Sequence, residues 1–278
     1  IEQLSKLDAF CFDSETTSHN PHHAFPIGLS FAWKPSEAYY VVLPDDWEES
    51  KRILEEFRPV FENPNIEKVG HNLKYDLSVL RWHGFKVHGA LFDTMLGHSM
   101  KEPEMRHGLD YLARLYLGYE PIPTSKLLGE KGENQRGMRE VPLDQLSEYA
   151  CEDADVTLQV AQIIRPEIEE QGVGDVCFRV ECPLIPVLVE MEYEGISLDS
   201  EALANYSEQL EEEIIELRTR IFEAAGSEFN IDSPKQLGIV LYDDLQLEAN
   251  PKKTATGQYS TRESELVRLA GRHKIVAD

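Results

Sequence analysis

Basic residues are scarce in this 278-residue chain: 27 lysines and arginines stand against 51 aspartates and glutamates, a formal net charge of −24. The deficit is not confined to a tail, since residues 1–180 carry −13 and residues 181–278 carry −11. A general polyanion-binding surface is normally basic, so this balance argues against one. Two considerations weaken that exclusion. A site built on carboxylates and metals is acidic by design, and a strongly acidic, well-solvated surface suits a high-salt cytoplasm. Long apolar runs are also missing. No stretch approaches membrane-spanning length, and no charged-then-apolar secretory leader opens the chain. Cysteine is sparse: Cys11, Cys151, Cys177 and Cys182 form no C-x-x-C pair, which excludes a disulfide framework and the common zinc patterns and fits reduced thiols. His19, His22 and His23 match no ligand spacing either and read as a polar loop. Repeats and low-complexity tracts are absent. Ile1 is not an initiator methionine, so a piece of a longer protein is expected.

With 41% hydrophobic residues, the chain can build one full core, or two smaller ones. Residues 10–12, 27–33 and 39–43 are short apolar runs that read as strands, with a hairpin turn at 34–37. Apolar residues at Ile53, Leu54, Phe57 and Phe61 give helical spacing over 45–61. A short strand at 67–70 leads into a helix over 73–82, and a second short strand at 91–92 precedes a helix cap at Asp93-Thr94. A short helix over 109–117, a loop over 128–140 and a long helix over 143–168 follow. Three strands followed by alternating helix and strand predict an α/β fold, a mixed sheet flanked by helices. Composition shifts near residues 171–174, which sets the expected domains at 1–174 and 175–278. The second part reads as all-helical: a helix over 182–194, a long amphipathic helix capped by Ser200 and stopped by Gly226, and another opened by Ser233-Pro234.

Chemistry concentrates in three places. In Phe10-Cys11-Phe12-Asp13-Ser14-Glu15-Thr16, a buried strand rises into two carboxylates one residue apart. Side chains at i and i+2 share a strand face, so Asp13 and Glu15 project together. Like charges at the edge of a core need compensation, commonly by a hard divalent cation. A strand end followed by a turn is an equally ordinary reading of these residues alone. Asn72 and Asp76 lie four apart at a strand-to-helix junction and share a helix face. An asparagine cap with a solvated aspartate would look the same. Tyr149 and Asp153 have the same spacing on the long helix, with Glu152 and Asp155 pointing elsewhere.

D-x-E on a first strand, N-x-x-x-D at a strand-to-helix junction and Y-x-x-x-D on a later helix, in that order, resemble the three motifs of the DnaQ-like, DEDD-type 3′–5′ exonucleases in their tyrosine variant. VGHNLKYD (69–76), FDTML (92–96) and YACEDADVTLQV (149–160) narrow the resemblance to the proofreading domain of the bacterial polymerase I family (family A). PLIPVLVEMEYEGISLD (183–199), FNIDSPKQL (229–237) and KKTATGQYST (252–261) are similar to the start of that family's polymerase domain, including part of its thumb. The resemblance implies a ribonuclease H-like first domain and hydrolysis with two divalent metal ions, Mg²⁺ or Mn²⁺. Asp13, Glu15 and Asp153 would hold one metal, and Asp13 would bridge to a second bound through Asp76. Tyr149, with Glu15 helping, would orient the attacking water; Asn72 would position substrate or brace Asp76, and Thr16 and Tyr75 would meet substrate. Lys252, Lys253 and Arg262 would grip duplex phosphates, or be no more than a solvated loop. It further implies single-stranded DNA 3′ ends and primer-template as partners, attachment to the rest of a polymerase, a monomer, no membrane and a bacterial cytoplasm. Two residues depart from the pattern: His19 stands where leucine often packs against the terminal base, and His71 where glutamine is common. None of the palm carboxylates is present, so no polymerisation is expected from this chain. A catalytically silent module that props up a polymerase is the alternative; the thumb-like segment argues against an RNase D-like enzyme.

Overall fold

The structure, a computed structural model, describes residues 1–129, 132 and 135–278. The loop read over 128–140 falls partly on Glu130, Lys131, Glu133 and Asn134, which lie outside the described residues. Two compact units emerge, Ile1–Gly195 and Ile196–Asp278.

The first unit is built on a five-stranded sheet. Its strands are β1 (Ala9–Thr16), β2 (Pro26–Lys34), β3 (Glu37–Val42), β4 (Glu67–Gly70) and β5 (Leu91–Asp93), in the order β3-β2-β1-β4-β5. β1 pairs antiparallel with β2 and parallel with β4, and β4 runs parallel with β5. The sheet is therefore mixed, and β1, β4 and β5 end on the same edge. The helices are α1 (Trp47–Phe61), α2 (Leu73–Trp82), α3 (Thr94–Lys101), the short α4 (Leu109–Leu112) and α5 (Thr124–Leu128), the long α6 (Leu143–Glu170), a single turn α7 (Gly174–Val176), and α8 (Cys182–Glu194). The helix expected over 109–117 is α-helical only to Leu112; Ala113–Leu117 winds more widely.

β1 lies at the centre and is covered on both faces, which is why its apolar run is continuous rather than alternating. Phe10 and Phe12 point to one face, where they pack with Phe31 of β2 and Phe61 of α1. Phe31 stacks on Phe57 at 5.2 Å between ring centroids. α1 reaches this layer through Leu54, Phe57, Val60 and Phe61, a three/four spacing, and it is capped by Asp46, which accepts the Glu49 N–H. The opposite face is crossed by α6, which packs over β1, β2 and β3 with Leu146, Ala150, Ala154, Thr157, Ala161, Ile164 and Ile168 buried. α8 packs against α2, and Arg81 of α2 forms a two-pronged ion pair with Glu190 of α8. The cysteines are free, and Cys11, Cys177 and Cys182 are buried.

The second unit has its own small core of Val240, Leu241, Tyr242, Leu269 and Ile275. Its longest helix, α9 (Ser200–Ala225), buries no residue, and three shorter helices follow: α10 (Pro234–Ile239), α11 (Glu263–Leu269) and α12 (Lys274–Ala277). Among the described residues, no helix is long and apolar enough to cross a membrane.

Lys68 sits in β4 between β1 and β5 and is fully buried. Its ammonium donates to the carbonyls of Asn63 (2.7 Å), Ile66 (2.8 Å) and His88 (2.5 Å), so three donors meet three acceptors that no strand pairing satisfies. This bond set ties the turn before β4 to the segment before β5. Lys68→Met keeps the apolar stem and removes the ammonium from all three carbonyls, leaving that of Asn63 only the long bond from the Ile66 N–H at 3.4 Å. We expect it to destabilise the chain by roughly 3 kcal/mol, read from the shift of a urea unfolding midpoint; an unchanged midpoint would show that those carbonyls find other partners.

Candidate active site

β1 carries Asp13 and Glu15 on the face opposite Phe12, towards α6, and α6 brings Asp153 to meet them. One carboxylate oxygen from each of the three lies within 4.8 Å of the others. Asp76 comes from α2, in the layer on the other face of the sheet. It is 3% exposed rather than solvated, and its Oδ1 accepts from Ser14 twice, from the backbone N–H at 3.0 Å and from Oγ at 2.5 Å. It lies outside the three-oxygen group yet lines the same cleft, a cavity of about 600 Å³ that also takes in His19, His71, Met95, Arg136 and Tyr149.

The electrostatics of this cluster are unfavourable in its own terms. Burial pushes Asp13 up to about 6. Burial, then the Asp13 and Asp153 charges, hold Glu15 well above the usual carboxylate range. Burial and then Asp13 raise both Asp76 and Asp153, against which the Ser14 bonds to Asp76 and the Tyr149 hydroxyl near Asp153 work in the other direction. Among the described residues none of the four is ion-paired with a lysine or arginine, although Arg136 lines the same cleft. An all-oxygen donor set, partly dehydrated and uncompensated, fits a hard divalent cation.

The other expected site residues are distributed as follows. The Tyr149 hydroxyl lies 3.2 Å from Thr124 Oγ1, and burial followed by the Asp153 charge raises its pKa, so the phenol stays protonated. Asn72 adopts a left-handed backbone, φ 61°, with no side-chain cap on α2 and no hydrogen bond to Asp76. Its N–H and that of Leu73 donate to Asp93, whose carboxylate also takes the N–H groups of Met95 and Leu96. Asp93 thus caps α2 and α3 together. The Thr16 and Tyr75 hydroxyls lie against each other and against the Ser18 carbonyl; with one proton apiece, one donates to the carbonyl and the other to its partner hydroxyl. His71 Nδ1 is 2.8 Å from Thr94 Oγ1, and burial lowers its pKa to about 4, which keeps it neutral. Glu152 accepts from Tyr119 and from the Ile122 N–H, and Asp155 from the Ser36 N–H; both point away from the cluster. His19, His22 and His23 form no ligand group among the described residues, and His22 lies against Trp82. Lys252 and Lys253 belong to the second unit, where Lys252 pairs with Glu265 at 2.8 Å and Lys253 lies over the Tyr259 ring. Ser14, Thr124 and the double role of Asp93 are not apparent from spacing in the sequence.

A ribonuclease H-like mixed sheet, with buried carboxylates gathered where its parallel strands end, defines a nuclease. The chain belongs to the 3′–5′ exonuclease family, whose model matches residues 1–169, and residues 200–278 match that of DNA polymerase family A. It is 38% identical over 280 residues to DNA polymerase I of Pseudomonas aeruginosa, covering 97% of this chain and 30% of the relative. It is 35% identical to DNA polymerase I of Chloroflexus aurantiacus over 287 residues, covering 100% of this chain and 30% of the relative. The chain thus spans under a third of the length of these relatives. In fold it is similar to the POL domain of Pol1 from M. smegmatis, in complex with DNA primer-template and dNTP, with a TM-score of 0.76, 23% identity, and coverage of 99% of this chain and 44% of that one. It is also similar to Brucella melitensis NrnC bound to pGG, with a TM-score of 0.56, 19% identity, and coverage of 68% and 87%. Membership of the exonuclease family implies divalent metal use.

The raised carboxyl pKa values set a pH dependence. Without a cation, the folded chain holds protons more tightly than the unfolded chain, so its stability falls as pH rises from the ordinary carboxylate range through about 6. A divalent cation replaces those protons. The melting temperature gained on replacing EDTA with Mg²⁺ should therefore be larger at pH ~8 than at pH ~5. A gain independent of pH would detach cation binding from this cluster.

Proposed function

We propose that this chain hydrolyses the terminal phosphodiester at DNA 3′ ends and serves as the proofreading nuclease of a polymerase I-type enzyme. The observation that supports this best is the convergence of Asp13, Glu15 and Asp153 oxygens to within 4.8 Å, with no ion-paired lysine or arginine among the described residues. Asp13, Glu15 and Asp153 would hold one divalent ion, and Asp13 with Asp76 a second, either Mg²⁺ or Mn²⁺. When bound, the ions supply charge stabilisation for the scissile phosphate and a water of lowered pKa.

The chain's own residues supply position. The Tyr149 phenol remains protonated, and with Glu15 it orients the attacking water. Thr124 holds that phenol from the other side. Thr16 and Tyr75, joined through their hydroxyls, present a rigid polar wall to the terminal nucleotide, and Asn72 opens the helix beside it. His71, kept neutral by burial, offers the substrate a dipole rather than a charge. We assign the exonuclease domain to residues 1–174 and the beginning of a family A polymerase domain to 175–278, whose Lys252 and Lys253 would meet duplex phosphates. Within these residues the chemistry is hydrolysis, not polymerisation. The chain would act as a monomer, in the cytoplasm and on DNA, as part of a longer polymerase.

Degradation of a 5′-labelled single strand with Mg²⁺ tests the reading. The chain should yield a 3′ ladder that Asp13→Ala/Glu15→Ala loses, and a mismatched primer end should be cut faster than a paired one because less unpairing is needed. Tyr149→Phe should lower kcat on the order of 10²-fold. Equal, negligible cleavage by the chain and the double variant would sink the proposal.

A further inference from the structure

The two faces of β1 deliver different things to its tip. Asp13 and Glu15 point towards α6, where Asp153 meets them, and Ser14 between them points towards α2. Asp76 belongs to that second layer and must be drawn over the end of the strand to join a site assembled on the first. Among the described side chains and backbone groups of other residues, Ser14 is its one hydrogen-bonding partner, with N–H at 3.0 Å and Oγ at 2.5 Å, both on Oδ1. Neither bond engages Oδ2.

We propose that Ser14 is a positioning residue for Asp76: its hydroxyl, with its N–H, binds Oδ1 from the strand that carries Asp13 and Glu15 and so turns Oδ2 towards a metal ion. The proposal rests on the reading of Asp76 as a ligand of the second ion. Ser14 would otherwise be a small spacer in D-x-E, and alanine would serve as well. The two bonds do different jobs. The N–H bond is made by any residue at position 14 and sets the distance between α2 and β1. The hydroxyl bond adds direction, because two donors on one oxygen stop the carboxylate from rotating about its Cβ–Cγ bond. The hydroxyl also remains a donor, so Oδ1 is withdrawn from competing for the ion. Ser14 is nearly buried, so water would replace its hydroxyl poorly.

Mn²⁺ titration of the full chain, followed by calorimetry and by the electron paramagnetic signal of free Mn²⁺, tests this without relying on turnover. Ser14→Ala should leave one class of Mn²⁺ site unchanged and weaken another by roughly 10-fold or more. Ser14→Thr, which keeps the hydroxyl and suits a strand, should restore it. The Mn²⁺ concentration for half-maximal cleavage should rise in Ser14→Ala, with kcat at saturating Mn²⁺ little changed. In an Asp76→Ala background, Ser14→Ala should cost nothing further. Equal Mn²⁺ affinities in the chain and Ser14→Ala would overturn this proposal alone, as would equal losses in the alanine and threonine variants or losses that persist without Asp76. A chain that binds no Mn²⁺ would overturn the proposed function as well.

Discussion

Repulsion among buried carboxylates is the constraint around which the first unit is built. Two like charges 4 Å apart repel by about 4 kcal/mol at an effective dielectric of 20, a large fraction of the roughly 5–15 kcal/mol that holds a domain folded. Asp13, Glu15 and Asp153 bear that repulsion at the tip of the central strand, and among the described residues none of them is ion-paired with a lysine or arginine. The strain cannot be avoided by letting the tip loosen, because the same strand supplies Phe10 and Phe12 to the aromatic layer and is covered by α6 on its other face. Packing of the strand therefore pins the charges, and a divalent cation would relieve their repulsion.

Backbone carbonyls and amides complete the pinning where side chains run out. Asn72 stands in a left-handed conformation, a cost of about 1–3 kcal/mol for a residue other than glycine. Asp93 offsets it by accepting the N–H groups of Asn72 and Leu73 while capping α3 through Met95 and Leu96. Hydrogen bonds to a charged group contribute about 1.5–3 kcal/mol each, so the left-handed turn is held with margin. That turn decides where α2 begins, and Asp76 lies one helical turn further on. A carboxylate outside the three-oxygen cluster thus fixes the position of one beside it.

Periodicity explains why some of this was legible in the sequence. The strand repeat of two places Asp13 and Glu15 together, and the helical repeat places Tyr149 with Asp153, so each pair can be read before any fold is known. The order of strands and helices likewise anticipates a mixed sheet. What pairs across layers has no such signature. Ser14 looks like a spacer until Asp76, sixty-two positions later, is seen on its hydroxyl. Thr124 sits in a stretch between turns and becomes meaningful only when Tyr149 comes within 3.2 Å. Asp93 reads correctly as the cap of the helix that follows it, but its bonds to the helix that starts twenty residues before it depend on β4 and β5 lying side by side. Lys68 resembles an ordinary charged residue in a short strand, and only the fold shows that three carbonyls surround it.

The net charge of −24 looks at first like an argument against the polyanion proposed as substrate. Distance resolves the conflict. At physiological ionic strength the Debye length is about 8 Å, so acidic residues beyond that distance from the cleft contribute little to what a 3′ terminus meets. Within the cleft the field is set chiefly by the carboxylate cluster, with Arg136 in the same lining. A cluster that repels a phosphate when bare attracts it once divalent ions reverse its local sign. The composition that seemed to exclude nucleic acid and the site that proposes it are then two ranges of one electrostatic description, and only the short range bears on chemistry.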